Sequence, residues 1–163
     1  MFSPSSSRTR RATSKNPPTG TPGDYSAARG KKLGDKAYAL HHGHASGNYC
    51  LKGVRESVVQ SGIVPSPPGW TPSQPDAYSW GKWAKAHPAE LTKRGFRYAP
   101  GVSVNAIPQG AIIVWQPGQC GYHRQYGHIE IVTDTQSSQA CSDFCGKVKK
   151  TCNDPWVFIP TTL

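Results

Sequence analysis

The stretch Gly127-His128-Ile129-Glu130-Ile131-Val132 decides how the chain is read. Its alternation puts Ile129 and Ile131 on one face of a strand and His128 and Glu130 on the other. Upstream, Ala111-Ile112-Ile113-Val114-Trp115 is a continuous apolar run of strand length, which suits a strand buried on both faces. Phe96–Tyr98, Gln139–Phe144 and Trp156–Ile159 read as further short strands. The period changes further toward the N-terminus. From Tyr49 to Gly62, Cys50, Leu51, Val54 and Val58 recur at helical spacing, with Asn48 as expected N-cap and Gly62 as expected stop. Asp35–His42, Asp76–His87 and a turn at Ala89–Lys93 complete the expected helices. Helices followed by an antiparallel meander predict an α+β fold with the helices on one face of the sheet.

The chain has 163 residues and a net charge of +10, which is unevenly spread. Residues 1–32 hold seven basic residues against Asp24, or +6, and are rich in Ser, Pro and Thr. They offer almost no apolar surface against the entropy of ordering, so they read as a disordered basic tail, with residues 33–163 as the folded domain. No apolar run of roughly 18 residues is present, which excludes a membrane-spanning helix. An ordinary secretory signal needs about 7–15 apolar residues after its basic start, and none follows here. The charge suits an anionic partner without choosing between nucleic acid and a cell-wall polymer. A nucleic-acid role has only the Arg-rich tail in its favour, since the domain carries neither a basic recognition helix nor an aromatic platform.

Chemistry enters with the cysteines. One stands early, Cys50, and four late, Cys120, Cys141, Cys145 and Cys152. An odd thiol beside four pairable ones suits a cysteine enzyme in an oxidising compartment. A thiol attacks amides as thiolate, and a helix N-terminus and an imidazole both favour that form over the free thiol of pKa about 8.5. Cys50 falls in the first turn of its helix, where unpaired N–H groups also suit an oxyanion. His128 is the expected base. The other nitrogen of its ring needs an acceptor. Asp143 on the next strand is the first choice, with Glu130 and Asp134 as alternatives. Taken alone, Cys50 reads more readily as a small buried hydrophobe and His128 as a hydrogen-bonded surface or core residue. Together they have the order of a helix-borne nucleophile followed by a strand-borne base.

Asn48-Tyr49-Cys50, Asp76-Ala77-Tyr78-Ser79-Trp80, Pro108-Gln109-Gly110-Ala111-Ile112-Ile113-Val114-Trp115 and Tyr126-Gly127-His128-Ile129-Glu130-Ile131-Val132 succeed one another along the chain. Together, over roughly residues 46–145, they resemble the CHAP and NlpC-type superfamily of papain-like peptidoglycan amidases and endopeptidases. The resemblance implies a papain-like fold and a catalytic set of Cys50, His128 and Asp143. It implies a peptide amide of bacterial peptidoglycan as substrate, with no metal or organic cofactor. Cys141-Ser142-Asp143-Phe144-Cys145 is similar to one branch, the type VI secretion amidase effectors, in which a catalytic Asp can lie between disulfide-linked cysteines. That branch implies an antibacterial toxin delivered to the periplasm and a cognate immunity protein in the producing cell. A phage lysin is the other setting. Ala111 departs from the acidic residue common in CHAP domains, Tyr49 from the small or polar residue usual before the Cys, and the insert Gln116–Tyr126 has no counterpart.

The late cysteines admit two disulfides, with three possible connectivities, or a zinc site built from Cys120, His123, Cys141 and Cys145. Two disulfides are preferred, Cys141–Cys145 with Cys120–Cys152. Tyr49, Trp80, Tyr122 and Tyr126 are expected to bind substrate, while Trp83 and Trp115 read as core. His41, His42 and His44 read as solvated helix-end residues, His44 within reach of the cleft. The rival to a hydrolase is a basic nucleic-acid-binding or zinc-stabilised binding module in which Cys50 is structural.

Overall fold

The computed structural model of the chain describes residues 16–163. Among the described residues four α-helices, α1 (Ala27–His41), α2 (Cys50–Ser61), α3 (Ala77–Ala86) and α4 (Pro88–Lys93), precede six strands. These are β1 (Phe96–Tyr98), β2 (Ile112–Trp115), β3 (His128–Val132), β4 (Gln139–Cys141), β5 (Cys145–Lys147) and β6 (Trp156–Pro160). All pair antiparallel in the order β1-β6-β2-β3-β4-β5. This is the expected α+β layout of N-terminal helices on an antiparallel sheet. It departs from a simple meander at β6, which returns to lie between β1 and β2. The expected strand Gln139–Phe144 is instead a hairpin, β4 and β5, whose tip is Ser142-Asp143-Phe144.

Each sheet face covers its own core. Ile112, Val114, Ile129, Ile131 and Phe158 face the helices and meet Leu33 and Ala37 of α1, Val54 and Val58 of α2, and Trp80 and Ala84 of α3. On the other face Ile113, Trp115, Val132, Val157 and Ile159 pack beneath loops that contribute Val104, Ile107 and Val148. The alternation read in 128–132 thus divides β3 between two apolar clusters, and the side of His128 and Glu130 is that of Trp115.

Part of the segment expected as tail is folded. Residues 27–32, assigned to it on sequence, form the first turns of α1, capped by Ser26, whose hydroxyl accepts from the Arg29 N–H. The first turns of the helix, ahead of the expected Asp35–His42, were hidden because small residues, Gly30, Gly34 and Ala37, make up most of its buried stripe, with Leu33 and His41 beside them. Arg29 is not a free tail charge. Its guanidinium donates to the carbonyls of Ile63, Arg94, Gly95 and Thr161, tying together the loops at one end of the sheet. Asp24 pairs with Arg97, and the Tyr25 hydroxyl, raised by burial to a pKa of about 12, donates to the Gln109 carbonyl at 2.7 Å. The remaining expected tail, residues 1–15, lies outside the described residues.

Cys120 pairs with Cys152 and Cys141 with Cys145, which leaves Cys50 free. The zinc reading is overturned, since three of its four ligands are held in disulfides. The fourth, His123, organises the 116–126 insert. Its Nδ1 accepts from the N–H groups of Gln125 and Tyr126, and its ring stacks on Tyr126. Among the described residues no helix is long and apolar enough to cross a membrane.

Candidate active site

Cys50 is the first residue of α2. The N-cap is Tyr49, one residue later than expected, and its side chain makes no capping hydrogen bond. The opening N–H groups of the helix, which have no helical partner, are therefore not occupied by a cap. Asn48 instead holds a positive φ of 63° in the turn leading in. What fixes this turn is Asp143. Its carboxylate accepts from the backbone N–H of Gly47 at 2.7 Å and of Tyr49 at 3.2 Å. Burial opposes its ionisation, but these two N–H groups prevail and hold the carboxyl below its ordinary range. The hairpin that carries Asp143 is clamped across its tip by Cys141–Cys145. It also presses on the helix directly, since a Cβ at Gly53 would strike the Ser142–Asp143 peptide. On the helix's other side, His41 is buried with its Nε2 at 3.1 Å from the Gly53 carbonyl. This corrects its reading as a solvated helix-end residue. His42 is exposed and stacks on Tyr38.

His128 opens β3 after Gly127, whose positive φ of 65° makes the turn and whose missing side chain lets the Trp115 carbonyl approach. The ring is only 7% exposed and lies within hydrogen-bonding reach of the Cys50 side chain. Its Nε2 is 3.1 Å from Glu130 Oε1. The other Glu130 oxygen accepts from the Trp115 indole N–H at 2.9 Å. The acceptor on the imidazole is therefore Glu130, not Asp143. Two residues along a strand return to the same face, which is why His128 and Glu130 meet. Asp143 is committed to the Gly47–Tyr49 turn, and Asp134 accepts from the backbone of Ser138 and Gln139. Trp115, read as plain core, is fully buried as expected, but its N–H also fixes Glu130. Its position directly across from His128 in the β2–β3 register was the available sequence signal.

Burial disfavours a charge on His128. The Cys50 side chain, and then Glu130, outweigh it and push the imidazole to a pKa of about 9. With Nε2 facing Glu130, Nδ1 is left for the sulfur. Tyr122 stacks on the His128 ring, with centroids 4.4 Å apart and planes 7° apart, and Lys149 caps its far face. Burial, with the Glu130 charge adding to it, raises the Tyr122 phenol far above its ordinary value.

A groove of about 780 Å³ opens on Cys50. One side is α2, with Tyr49, Lys52 and Arg55; the other is the Trp70–Ala77 segment, and Tyr126 closes an end. Of the four aromatics expected at substrate, Tyr49 and Tyr126 line it at 65% and 43% exposure. Trp80 touches the groove but is core, 1% exposed, stacked on Trp70 and donating to the Thr71 hydroxyl. Tyr122 is not among the groove residues and belongs to the His128 side. Trp83 packs at the margin of the helix-side core. A smaller cavity of about 290 Å³ behind Tyr49 is lined by His44, Lys52, Glu56 and Asp143, which brings His44 close to the Cys50 turn.

No family model matches this chain, and no curated protein matches it. Two solved structures resemble it, both of the type VI effector–immunity complex Tae3–Tai3 from Ralstonia pickettii. The native form is 22% identical over 79% of this chain and 96% of that one, with a TM-score of 0.48. The selenomethionine form is 21% identical over 77% and 97%, with a TM-score of 0.48. Likeness at that level decides nothing about the reaction, for which the residues of the site are the guide.

Proposed function

We propose that this chain is a cysteine hydrolase that cleaves a peptide amide in bacterial peptidoglycan and acts as an antibacterial, wall-lysing enzyme. The observation that carries the reading is the chain of contacts Cys50–His128–Glu130–Trp115, of which Cys50 lines an open groove. Cys50 Sγ attacks the amide carbon. The uncapped N–H groups opening α2, that of Cys50 among them, receive the oxyanion. His128 Nδ1–H protonates the leaving amine, the C–N bond breaks, and a thioester remains on Cys50. Water then attacks the thioester with His128 taking its proton, and the carboxylic acid leaves with Cys50 restored. Glu130 holds the imidazole in the tautomer and orientation both steps need. Asp143 works through the Gly47–Tyr49 turn as a positioning residue for the nucleophile.

The Cys141–Cys145 segment favours an effector delivered to the periplasm of a target cell, and such a toxin requires a cognate immunity protein in its producer. Digestion of purified peptidoglycan followed by mass spectrometry of the released muropeptides tests the proposal. Wild type yields fragments with one new amine and one new carboxyl per cut, and identifies the bond. Cys50→Ala and His128→Ala, folded by circular dichroism, yield none. Lysis by Cys50→Ala at the wild-type rate would refute the mechanism.

A further inference from the structure

The groove beside Cys50 is charged on one side. Lys52 and Arg55 project from the exposed face of α2, three residues apart and hence neighbours on the helix surface. Lys52 lies over the Tyr49 ring. Arg55 makes no hydrogen bond or ion pair among the described residues. Asp76 is the acidic residue in the lining, and its Oδ1 is taken by the Ser79 N–H as the cap of α3. The facing segment, Pro72-Ser73-Gln74-Pro75, carries no charge. An aligned pair of cations in a catalytic groove, one of them without a protein partner, is a site for an anionic group of the substrate.

Resting on the hydrolase reading above, we infer that Arg55, with Lys52 beside it, takes a free carboxylate of the peptide substrate. Five residues of helix separate Cys50 from Arg55, an axial rise of about 7.5 Å with about 140° of turn between their directions. With the reach of the Arg side chain added, an extended peptide covers the gap in a few residues. The carboxylate thus sits on a residue a few positions from the scissile amide, and a guanidinium suits it through paired N–H donors. The substrate class is an acidic stem peptide with its side carboxylates uncapped. Amidation of the carboxylate would remove the charge and one acceptor oxygen together.

The test uses the tetrapeptide L-Ala–γ-D-Glu–meso-diaminopimelate–D-Ala and two variants, one amidated at the Glu carboxylate and one at the diaminopimelate side carboxylate. Binding to the Cys50→Ala protein is measured by calorimetry at low salt, and cleavage by the wild type is followed in parallel. One amidation is expected to weaken binding up to about fivefold, the size of a solvent-facing ion pair. Adding Arg55→Ala brings the three peptides within about twofold of one another, and Arg55→Lys restores part of the difference. Equal binding of all three peptides, or discrimination that survives Arg55→Ala, overturns the assignment. If the wild type cuts none of them, the hydrolase reading falls separately, because the binding comparison needs no turnover.

Discussion

Glu130→Gln is the most searching perturbation of the site, because it changes a charge and almost no volume. Glu130 is 5% exposed and serves two donors, the His128 ring at 3.1 Å and the Trp115 indole at 2.9 Å. A glutamine has one acceptor oxygen for the two. If that oxygen stays on Trp115, the amide NH₂ faces His128 Nε2 and forces it to accept. The proton then moves to Nδ1 in a neutral ring, and the charged hydrogen bond, worth about 1.5–3 kcal/mol, is lost. An enforced tautomer of this kind costs up to roughly 10⁴-fold in kcat in a serine protease triad. If the amide flips, the Trp115 N–H faces an NH₂ and a buried donor is left unmade at about 1–3 kcal/mol. Either way kcat should fall about 10²- to 10⁴-fold with KM little changed, and urea unfolding should register a loss of about 1–3 kcal/mol. Trp115→Phe removes the competing donor. The double variant Trp115→Phe/Glu130→Gln lets the amide oxygen turn to His128 and should be more active than Glu130→Gln alone. The assay is steady-state cleavage of a stem peptide by the four proteins of this cycle. Glu130→Gln activity within about threefold of wild type, or a double variant no better than the product of the singles, would show that Glu130 does not orient the base.

Other outcomes rest on the same geometry. Asp143→Ala should unpin the Gly47–Tyr49 turn and lower kcat about tenfold without moving the His128 titration, whereas loss of Glu130 moves it; NMR of the ring separates the two. Because the His128 pKa is raised from its ordinary 6.5 to about 9, its contribution to stability is complete below about pH 6.5 and is lost as pH rises through 9. Of order 3 kcal/mol is at stake, checked by urea midpoints between pH 6 and 10, and Cys50→Ala should shift the window to lower pH. Removing Cys141–Cys145 by double substitution to Ala should cost about 2 kcal/mol for its small loop, and removing Cys120–Cys152 nearer 4, both read by thermal melts. Gly53→Ala should lower activity and stability together, since its methyl collides with hairpin backbone that cannot move without dragging Asp143.

Local periodicity carried much of this fold. The strand run 111–115, the alternation of 128–132 and the stop at Gly62 are short-range patterns, and each marks an element within a residue or so of its bounds. Two kinds of feature were harder to read. One is burial by small residues, as at the start of α1, where Gly30, Gly34 and Ala37 share the packing stripe with Leu33 and His41 and hydropathy sees a largely polar segment. The other is the third member of the site. Asp143 stands between paired cysteines, and the resemblance made it the natural partner of His128. The carboxylate that reaches the ring is the one two residues along the same strand, a same-face relation that alternation already implied. What no local pattern disclosed is that Asp143 is bound to backbone near Cys50, about ninety residues away in sequence.

In the proposed mechanism the two carboxylates divide one task between Cys50 and His128. Glu130 lies among the residues of the loop-side core and controls the base; Asp143 sits on a disulfide-clamped hairpin and controls the approach to the nucleophile. The sulfur and the imidazole are thus held from separate parts of the fold, by β2–β3 register on one side and by the α2–hairpin contact on the other. Perturbing either support should misplace one partner relative to the other. Because both supports meet only at the Cys50–His128 contact, Asp143→Ala and Glu130→Gln should be nearly additive in stability. In kcat they should be strongly non-additive, as groups acting as one unit are. Additive losses in kcat would mean that the two carboxylates act on different steps, and the common-contact account would then be wrong.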